Sequence, residues 1–231
     1  MLKNYFNIAV RSLLKHKFYS FLNILGLSIG LACFMLISLF IKHELTYDTF
    51  HADADRIQRV HFRATLNGED HISSQVGAPM AGAMKKDFPE VEDAVRINET
   101  GNWFVKRKGE TSSFKEEHVL MADSNFFDFF SVNLIYGDKK NVLNRPKTLV
   151  LDQTTAKKLF GDMNPVGEVL TLDSRFDYEV TGVYEDLPDN SHFHHNILLS
   201  LTSFDWAVNN ENWLSTNFQT YVKLREGADA A

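Results

Sequence analysis

Twenty-one consecutive residues near the start of the chain, Phe21 to Ile41 (FLNILGLSIGLACFMLISLFI), carry no charged side chain. Wound as a helix at about 1.5 Å per residue, the run is roughly 31 Å long and matches the hydrocarbon thickness of a bilayer. Thirteen of its residues are Leu, Ile or Phe. Together they contribute roughly −4 to −8 kcal/mol near mid-bilayer, as an upper bound. Asn23, Ser28, Ser38 and the two glycines subtract from that without reversing its sign. The run reads as a membrane-spanning helix. A cleaved signal peptide has a shorter apolar core followed by a small-x-small site, and Lys42-His43-Glu44-Leu45 offers none. Eight more uncharged residues follow Cys33, which opposes a lipoprotein site at Leu31-Ala32-Cys33.

Charge gives the span a direction. Lys3, Arg11, Lys15 and Lys17 precede it without an acid, whereas Lys42 is followed by Glu44, Asp48, Asp53 and Asp55. Excess Lys and Arg mark the cytoplasmic side, so the N-terminus is expected inside and residues 42–231 outside. Those 190 residues hold 20 Lys and Arg against 30 Asp and Glu. A domain that acidic argues against nucleic acid as a partner, because phosphate contacts need a basic face. Cys33, within the span, is the only cysteine, so the exterior part must hold together by packing without disulfides. That hints at a bacterial periplasm.

Residues 2–17 alternate at helical spacing. Leu2, Tyr5, Phe6, Ala9, Val10, Leu13 and Leu14 fall on one face, and Lys3, Asn4, Asn7, Arg11 and Lys15 on the other. A basic amphipathic helix joined to a span is expected to lie in the inner interface, in contact with the lipid bilayer. Within the span, Gly26-x-x-x-Gly30 puts two small residues one turn apart, a face that a second helix can approach closely.

Past the span the pattern predicts an α+β domain. A half-buried strand is expected from Arg59 to Leu66, a turn at Asn67-Gly68 and a return strand from His71 to Val76. A helix starts at Pro79 and stops before Pro89. A strand follows over Val91–Ile97, then a hairpin over Trp103–Met121 turning near Lys108-Gly109. Ser124 is expected to cap a short helix whose Phe126, Phe127, Phe129 and Phe130 need burial. Thr148–Leu151 predicts a strand, and Asp152 or Thr154 the cap of a helix ended by Gly161. Further strands are expected over Glu168–Leu172, Tyr178–Tyr184, Ile197–Leu201 and Thr220–Leu224.

Chemistry is thinly represented. The chain has no G-x-x-x-x-G-K-[ST], G-x-S-x-G or H-E-x-x-H motif, so neither nucleotide hydrolysis nor one of these hydrolase types is expected. His192, His194 and His195 supply three imidazoles within four residues, a pattern that can bind a metal. No acid or cysteine joins them at ligand spacing, and the competing reading is a polar loop in which Ser191 and His192 bond the backbone at a strand entrance.

The order of short motifs resembles the permease subunits of MacB-type and FtsX-like ABC transporters, the long Bacteroidetes type in particular. The run from Arg11 to Gly30 is similar to that family's basic elbow and first span. Tyr47-Asp48-Thr49-Phe50-His51 and Ala54-Asp55-Arg56-Ile57 resemble its signature after the span. Farther on, Phe88-Pro89-Glu90-Val91, Ala122-Asp123-Ser124-Asn125-Phe126-Phe127 and Leu159-Phe160-Gly161 resemble motifs of its periplasmic core domain. So do Asn164-Pro165-Val166-Gly167, Val180-Thr181-Gly182-Val183 and Asn190-Ser191-His192-Phe193. Each piece is short, and the collinear order makes the resemblance specific.

The resemblance implies a non-enzymatic membrane subunit that forms a dimer with a second permease copy. A separate cytoplasmic ABC ATPase would drive it, its nucleotide cycle passed to the periplasmic domain by mechanotransmission. Periplasmic or outer-membrane efflux components are further implied partners; no cofactor is implied. The domain is expected to divide into a porter-like part, residues 46–98 with 200–231, and an inserted strand-rich part, residues 99–199. Family permeases have at least four spans, so a chain with one reads as a fragment truncated near Gly227-Ala228-Asp229, where a helix is expected to begin. The alternative is a single-span extracytoplasmic ligand-binding or sensor module. The 20 residues before the span leave such a receptor no room for a cytoplasmic output domain.

Overall fold

The uncharged run lies wholly within one helix of a computed structural model, which describes residues 2–228. Helix α1 (Leu2–Lys15) is followed by a break at His16 and then by α2 (Lys17–Leu45). Helix α2 outruns the apolar run at both ends. Lys17 and the turn Lys42-His43-Glu44 favour helix, so charge ends the stretch that suits lipid without ending the helix. Its large apolar side chains, Phe21 through Ile41, stay exposed. The Ser20 hydroxyl donates to the Leu13 carbonyl at 3.1 Å and ties α2 to α1. These helices, with the turn to Tyr47, form one compact unit, and residues from Asp48 onward form another.

The second unit is built on a ten-stranded mixed sheet. From one edge the order is β1 (Ile57–Arg59), β12 (Thr216–Leu224), β5 (Val91–Arg107), β6 (Phe114–Ala122), β11 (Ile197–Ser200), β8 (Thr148–Asp152), β10 (Phe176–Tyr184) and β7 (Leu134–Tyr136). Strand β4 (Val76–Gly77) adds to β12, and β9 (Val169–Leu172) pairs with both β10 and β5. The β11–β6 and β10–β8 pairs are parallel and the others antiparallel. Central strands are apolar on both faces, as sheets covered on two sides require. Leu149 and Leu151 of β8 belong to one core and Val150 to the other; Ile197 and Leu199 of β11 part from Leu198 in the same way. Helix α5 (Gln153–Phe160) packs on the first core through Ala156, Leu159 and Phe160. Short α4 (Phe126–Phe129) fills the second with Phe126, Phe127 and Phe129, joined by Phe130. Helices α3 (Met80–Asp87) and α6 (Asp205–Val208) complete the unit.

Several expectations need correction. The strand expected from Arg59 to Leu66 is interrupted. Val60 donates to the Thr220 carbonyl at 2.9 Å, after which the chain leaves the sheet and makes a separate hairpin of β2 (Phe62–Leu66) and β3 (Glu69–Ser73). Its turn is as expected, with Asn67 (φ 53) and Gly68 (φ 85) both left-handed. The return strand is therefore Glu69–Ser73, and Val76 goes to β12 instead. No described residue of the hairpin is buried, because β3 offers only Ile72 to an apolar core. Val91–Ile97 and the first arm of the Trp103 hairpin prove to be one strand, β5. It shifts register beside Gly101, so its polar middle (Asn98 to Asn102) bends without breaking. Asn125, not Ser124, occupies the position before α4, with no side-chain cap bond. The helix expected at Gly227 falls partly outside the described residues. Within them Gly227 is left-handed (φ 78) and Ala228 donates to the Arg225 carbonyl, which makes a turn.

Candidate functional site

The segment that follows α2 is fastened to the sheet domain by two groups of polar contacts. The first begins at Asp48, the opening residue of the second unit. Its backbone is left-handed (φ 57), a conformation that Asp tolerates better than most residues. Its N–H donates to the Asn190 carbonyl at 2.9 Å, and its Oδ1 accepts the His192 backbone N–H at 2.9 Å. Oδ2 lies 2.8 Å from His192 Nδ1, which makes an ion pair when the ring is protonated but is not aligned as a neutral hydrogen bond. The other ring nitrogen of His192 meets the Tyr221 hydroxyl at 3.0 Å.

Three residues on, buried His51 places Nδ1 2.5 Å from the Phe130 carbonyl. A carbonyl only accepts, so the proton is assigned to Nδ1, and Nε2 is left buried without a hydrogen-bond partner. Burial lowers the pKa of the ring, outweighing the Phe130 bond and nearby Asp48. Around it stand Phe130 (5.4 Å between centroids) and Phe193 (6.3 Å), with Phe126 and Tyr221 packed against those in turn. Ser191, fully buried, accepts the Phe193 N–H at 3.1 Å and fixes the turn that presents His192.

The second group lies at the ends of β1 and β12. Arg56 donates to Asp53 at 2.5 Å, to Glu92 at 2.7 Å and to the Leu224 carbonyl at 2.8 Å. Asp53 also accepts from Lys223 Nζ at 2.9 Å, and the bonds from Lys223 and Arg56 lower its pKa. Lys223 is largely buried, its ammonium 5.3 Å from the Phe129 ring.

The structure thus brings together residues far apart in the sequence. Asp48, His51, Ser191, His192 and Phe126 share the first group with Phe127 in the core beneath, and Arg56 organises the second. Asp55 is exposed, and Pro89 accepts from Arg225 Nε at 2.9 Å. Tyr47 and Phe50 are partly exposed; Tyr47 meets His43 edge-on within the helical unit. Asp123 is elsewhere, gripping Arg96 through both carboxylate oxygens at the back of a cleft of about 700 Å³ between α3, β5 and residues 208–213. Gly161 ends α5, Pro165 is buried in the following turn, and Gly167 (φ 92) donates to the Val180 carbonyl. Gly182 lies in β10 against β7. Lys3, Arg11, Lys15 and Lys17 are exposed on the two N-terminal helices, and an added Cβ at Gly26 or Gly30 meets nothing within 4 Å.

The three imidazoles of the His192 loop diverge. His192 faces Asp48 and Tyr221, His194 is exposed, and His195 uses its carbonyl to accept the Tyr184 hydroxyl. Among the described residues no three His, Cys, Asp or Glu side chains are placed to hold a metal. Ser191 bonds the backbone at the Phe193 N–H, whereas the His192 ring meets the side chains of Asp48 and Tyr221 instead of backbone. The sequence does not single out Glu92, Tyr221 and Lys223, and it marks Asp53 and Phe130 only for charge and for burial. Lys223 left a signal, since a lysine flanked by Tyr221, Val222 and Leu224 in a strand calls for a carboxylate partner.

A family model described as the MacB-like periplasmic core domain matches residues 20–231, from the span through the sheet domain. The chain belongs to this family. Solved MacB-like structures share the fold. A domain of a protein designated a permease, from Porphyromonas gingivalis, is 29% identical over 78% of this chain and 79% of its own, with a TM-score of 0.67. The periplasmic region of MacB from Actinobacillus actinomycetemcomitans is 18% identical over 68% of each chain (TM-score 0.53). The extracellular domain of the noncanonic ABC-type transporter YknZ from Gram-positive bacteria is 12% identical over 74% of this chain and 84% of that one (TM-score 0.52). Comparison with curated proteins gives no match. Membership makes the chain an ABC-type permease component, a membrane protein with a MacB-like extracytoplasmic domain.

Proposed function

We propose that this MacB-like chain is a permease subunit of an ABC exporter, coupling a separate cytoplasmic ATPase to its periplasmic domain by mechanotransmission. The observation that carries the reading is the single family match running from the span into the sheet domain, residues 20–231. Basic residues before the span and acids after it support a cytoplasmic N-terminus in a bacterial inner membrane. In this reading the chain acts as one of a pair, with periplasmic or outer-membrane efflux components receiving the substrate. The contacts of β12 with β1, β4 and the first part of β5 support grouping residues 46–98 with 200–231 as a porter-like part. Residues 99–199 are then the insert.

The Asp48 contacts are the first fixed point after the helix, so they are where motion would pass into the domain. Tagged chain recovered from native membranes is expected to bring with it an ATPase whose turnover it changes; recovery without any ATPase sinks the reading. Asp48→Ala removes the acceptor of two His192 contacts and puts a β-carbon without a polar partner at φ 57. It should uncouple turnover by roughly tenfold, equivalent to about 1.4 kcal/mol, while Asp48→Asn, which keeps the backbone acceptor and tolerates the conformation, stays close to wild type. Equal coupling in both variants would remove Asp48 from the path.

A further inference from the structure

The β2–β3 hairpin is an anomaly in an otherwise well-covered unit. The main sheet ends in strands of three residues each, β1 and β7, which are short edges of the kind that resist stray pairing. The hairpin has two strands of five residues, stands as a sheet of its own, and among the described residues has no neighbouring strand on either outer side. A two-stranded hairpin with no buried face is marginal in water. Unpaired N–H and C=O groups on a strand edge are a template for another strand.

The two edges differ in what they can accept. Strand β3 reads Glu69-Asp70-His71-Ile72-Ser73, and pairing it antiparallel with its own copy about His71 sets Glu69 opposite Ser73, Asp70 opposite Ile72 and His71 against His71, so neither acid gains a basic partner across the junction. Strand β2, centred on Ala64, is self-complementary. Paired with its own copy about Ala64, it sets Arg63 opposite Thr65 and Phe62 opposite residue 66, with Ala64 facing Ala64 on the two-fold axis. Arg63, its only charge, is already ion-paired with Asp70 of the same hairpin, so no uncompensated charge crosses the junction. An edge that pairs with itself about a residue at its midpoint satisfies the two-fold symmetry of a homodimer.

We propose that β2 is a dimer contact, joining the hairpins of two copies edge to edge into a four-stranded antiparallel sheet with Ala64 at its centre. The proposal rests on the reading of this chain as one of a pair and gives that pair a contact outside the membrane. It predicts that the two β2 strands lie one strand spacing apart, whereas the two β3 strands lie three apart, about 14 Å.

Disulfide trapping tests it in membranes that carry the full chain. Cys33 is the only native cysteine, so Cys33→Ser provides a thiol-free background. Ala64→Cys in that background should form a disulfide-linked dimer under mild oxidation, at least tenfold more than His71→Cys, since paired antiparallel residues have Cα separations that a disulfide spans. Native mass spectrometry of the unoxidised protein reports independently whether a pair exists. A pair without the Ala64→Cys adduct overturns the edge contact and leaves the paired reading standing; a monomer overturns both. An adduct at His71→Cys but not Ala64→Cys assigns the contact to β3 and overturns the proposal. Capture of a different protein at Ala64→Cys overturns it as well.

Discussion

His195, at the approach to β11, is partly buried and its Nδ1 has no hydrogen-bond partner. Burial, only partly offset by Glu99, lowers its pKa from 6.5 to about 4. The unfolded chain therefore takes up a proton between those values that the folded chain refuses. The contribution of neutral His195 to stability is complete above pH 6.5 and is lost as the pH falls towards 4, up to about 3 kcal/mol at roughly 1.4 kcal/mol per unit. His51, lowered in the same direction by burial, adds the same sign. Thermal melts from pH 8 to 4.5 should show the midpoint of the parent chain falling further than that of His195→Gln. A parallel fall in both would mean that other groups set the acid sensitivity. Little of this was legible at residue level. The spacing of His192, His194 and His195 allowed either a metal cluster or a polar loop, because ring directions are set by partners far away in sequence, Asp48 and Tyr221 for His192, and by burial for His195.

Among the elements, helices with local signals could be read from the sequence and strands that depend on distant partners could not. Asp152 caps α5 by accepting the Thr155 N–H at 2.7 Å, and Gly161 ends that helix with φ 65; both positions announce themselves within a few residues. The length of β5 does not, because its polar middle is held by β6 on one side and, farther along, by β9. Strands β4 and β7 are too short to carry a periodic pattern and exist through their partners, β12 and β10. Gly182 shows what such a partner demands. A Cβ there would meet Val142 Cγ1 at 2.8 Å and the Tyr136 carbonyl at 2.9 Å, so β7 approaches β10 this closely only because the residue is glycine. Gly182→Ala should push β7 outward and cost about 1–3 kcal/mol, read as a lower denaturation midpoint of the chain. An unchanged midpoint would show that β7 can shift freely.

Taken whole, the molecule joins an exposed apolar helix to an acidic, two-faced sheet domain, and the overall class was legible because charge and hydropathy segregate along the chain. The long-range fastening was not: residues 48 and 192 are 144 positions apart, and the motifs containing them gave no indication that they meet. Gly26 and Gly30 belong to this scale. Since a Cβ at either meets nothing within 4 Å among the described residues, replacing both with Leu should leave the domain's melting point unchanged. If another helix packs there, recovery of a second tagged copy from membranes should fall by roughly tenfold, as a loss of about 1–2 kcal/mol in helix packing implies. Unchanged recovery would reduce both glycines to ordinary members of a span. Finally, Ile57 of β1 lies opposite Lys223 of β12, and Arg56 reaches the Leu224 carbonyl, so the chain comes into the sheet and leaves it side by side. That pairing joins positions 166 apart in the chain, the first strand of the domain to its last. A loop of that size is costly to close, so β1 can pair only once β12 is in place, and this edge of the sheet forms late in folding.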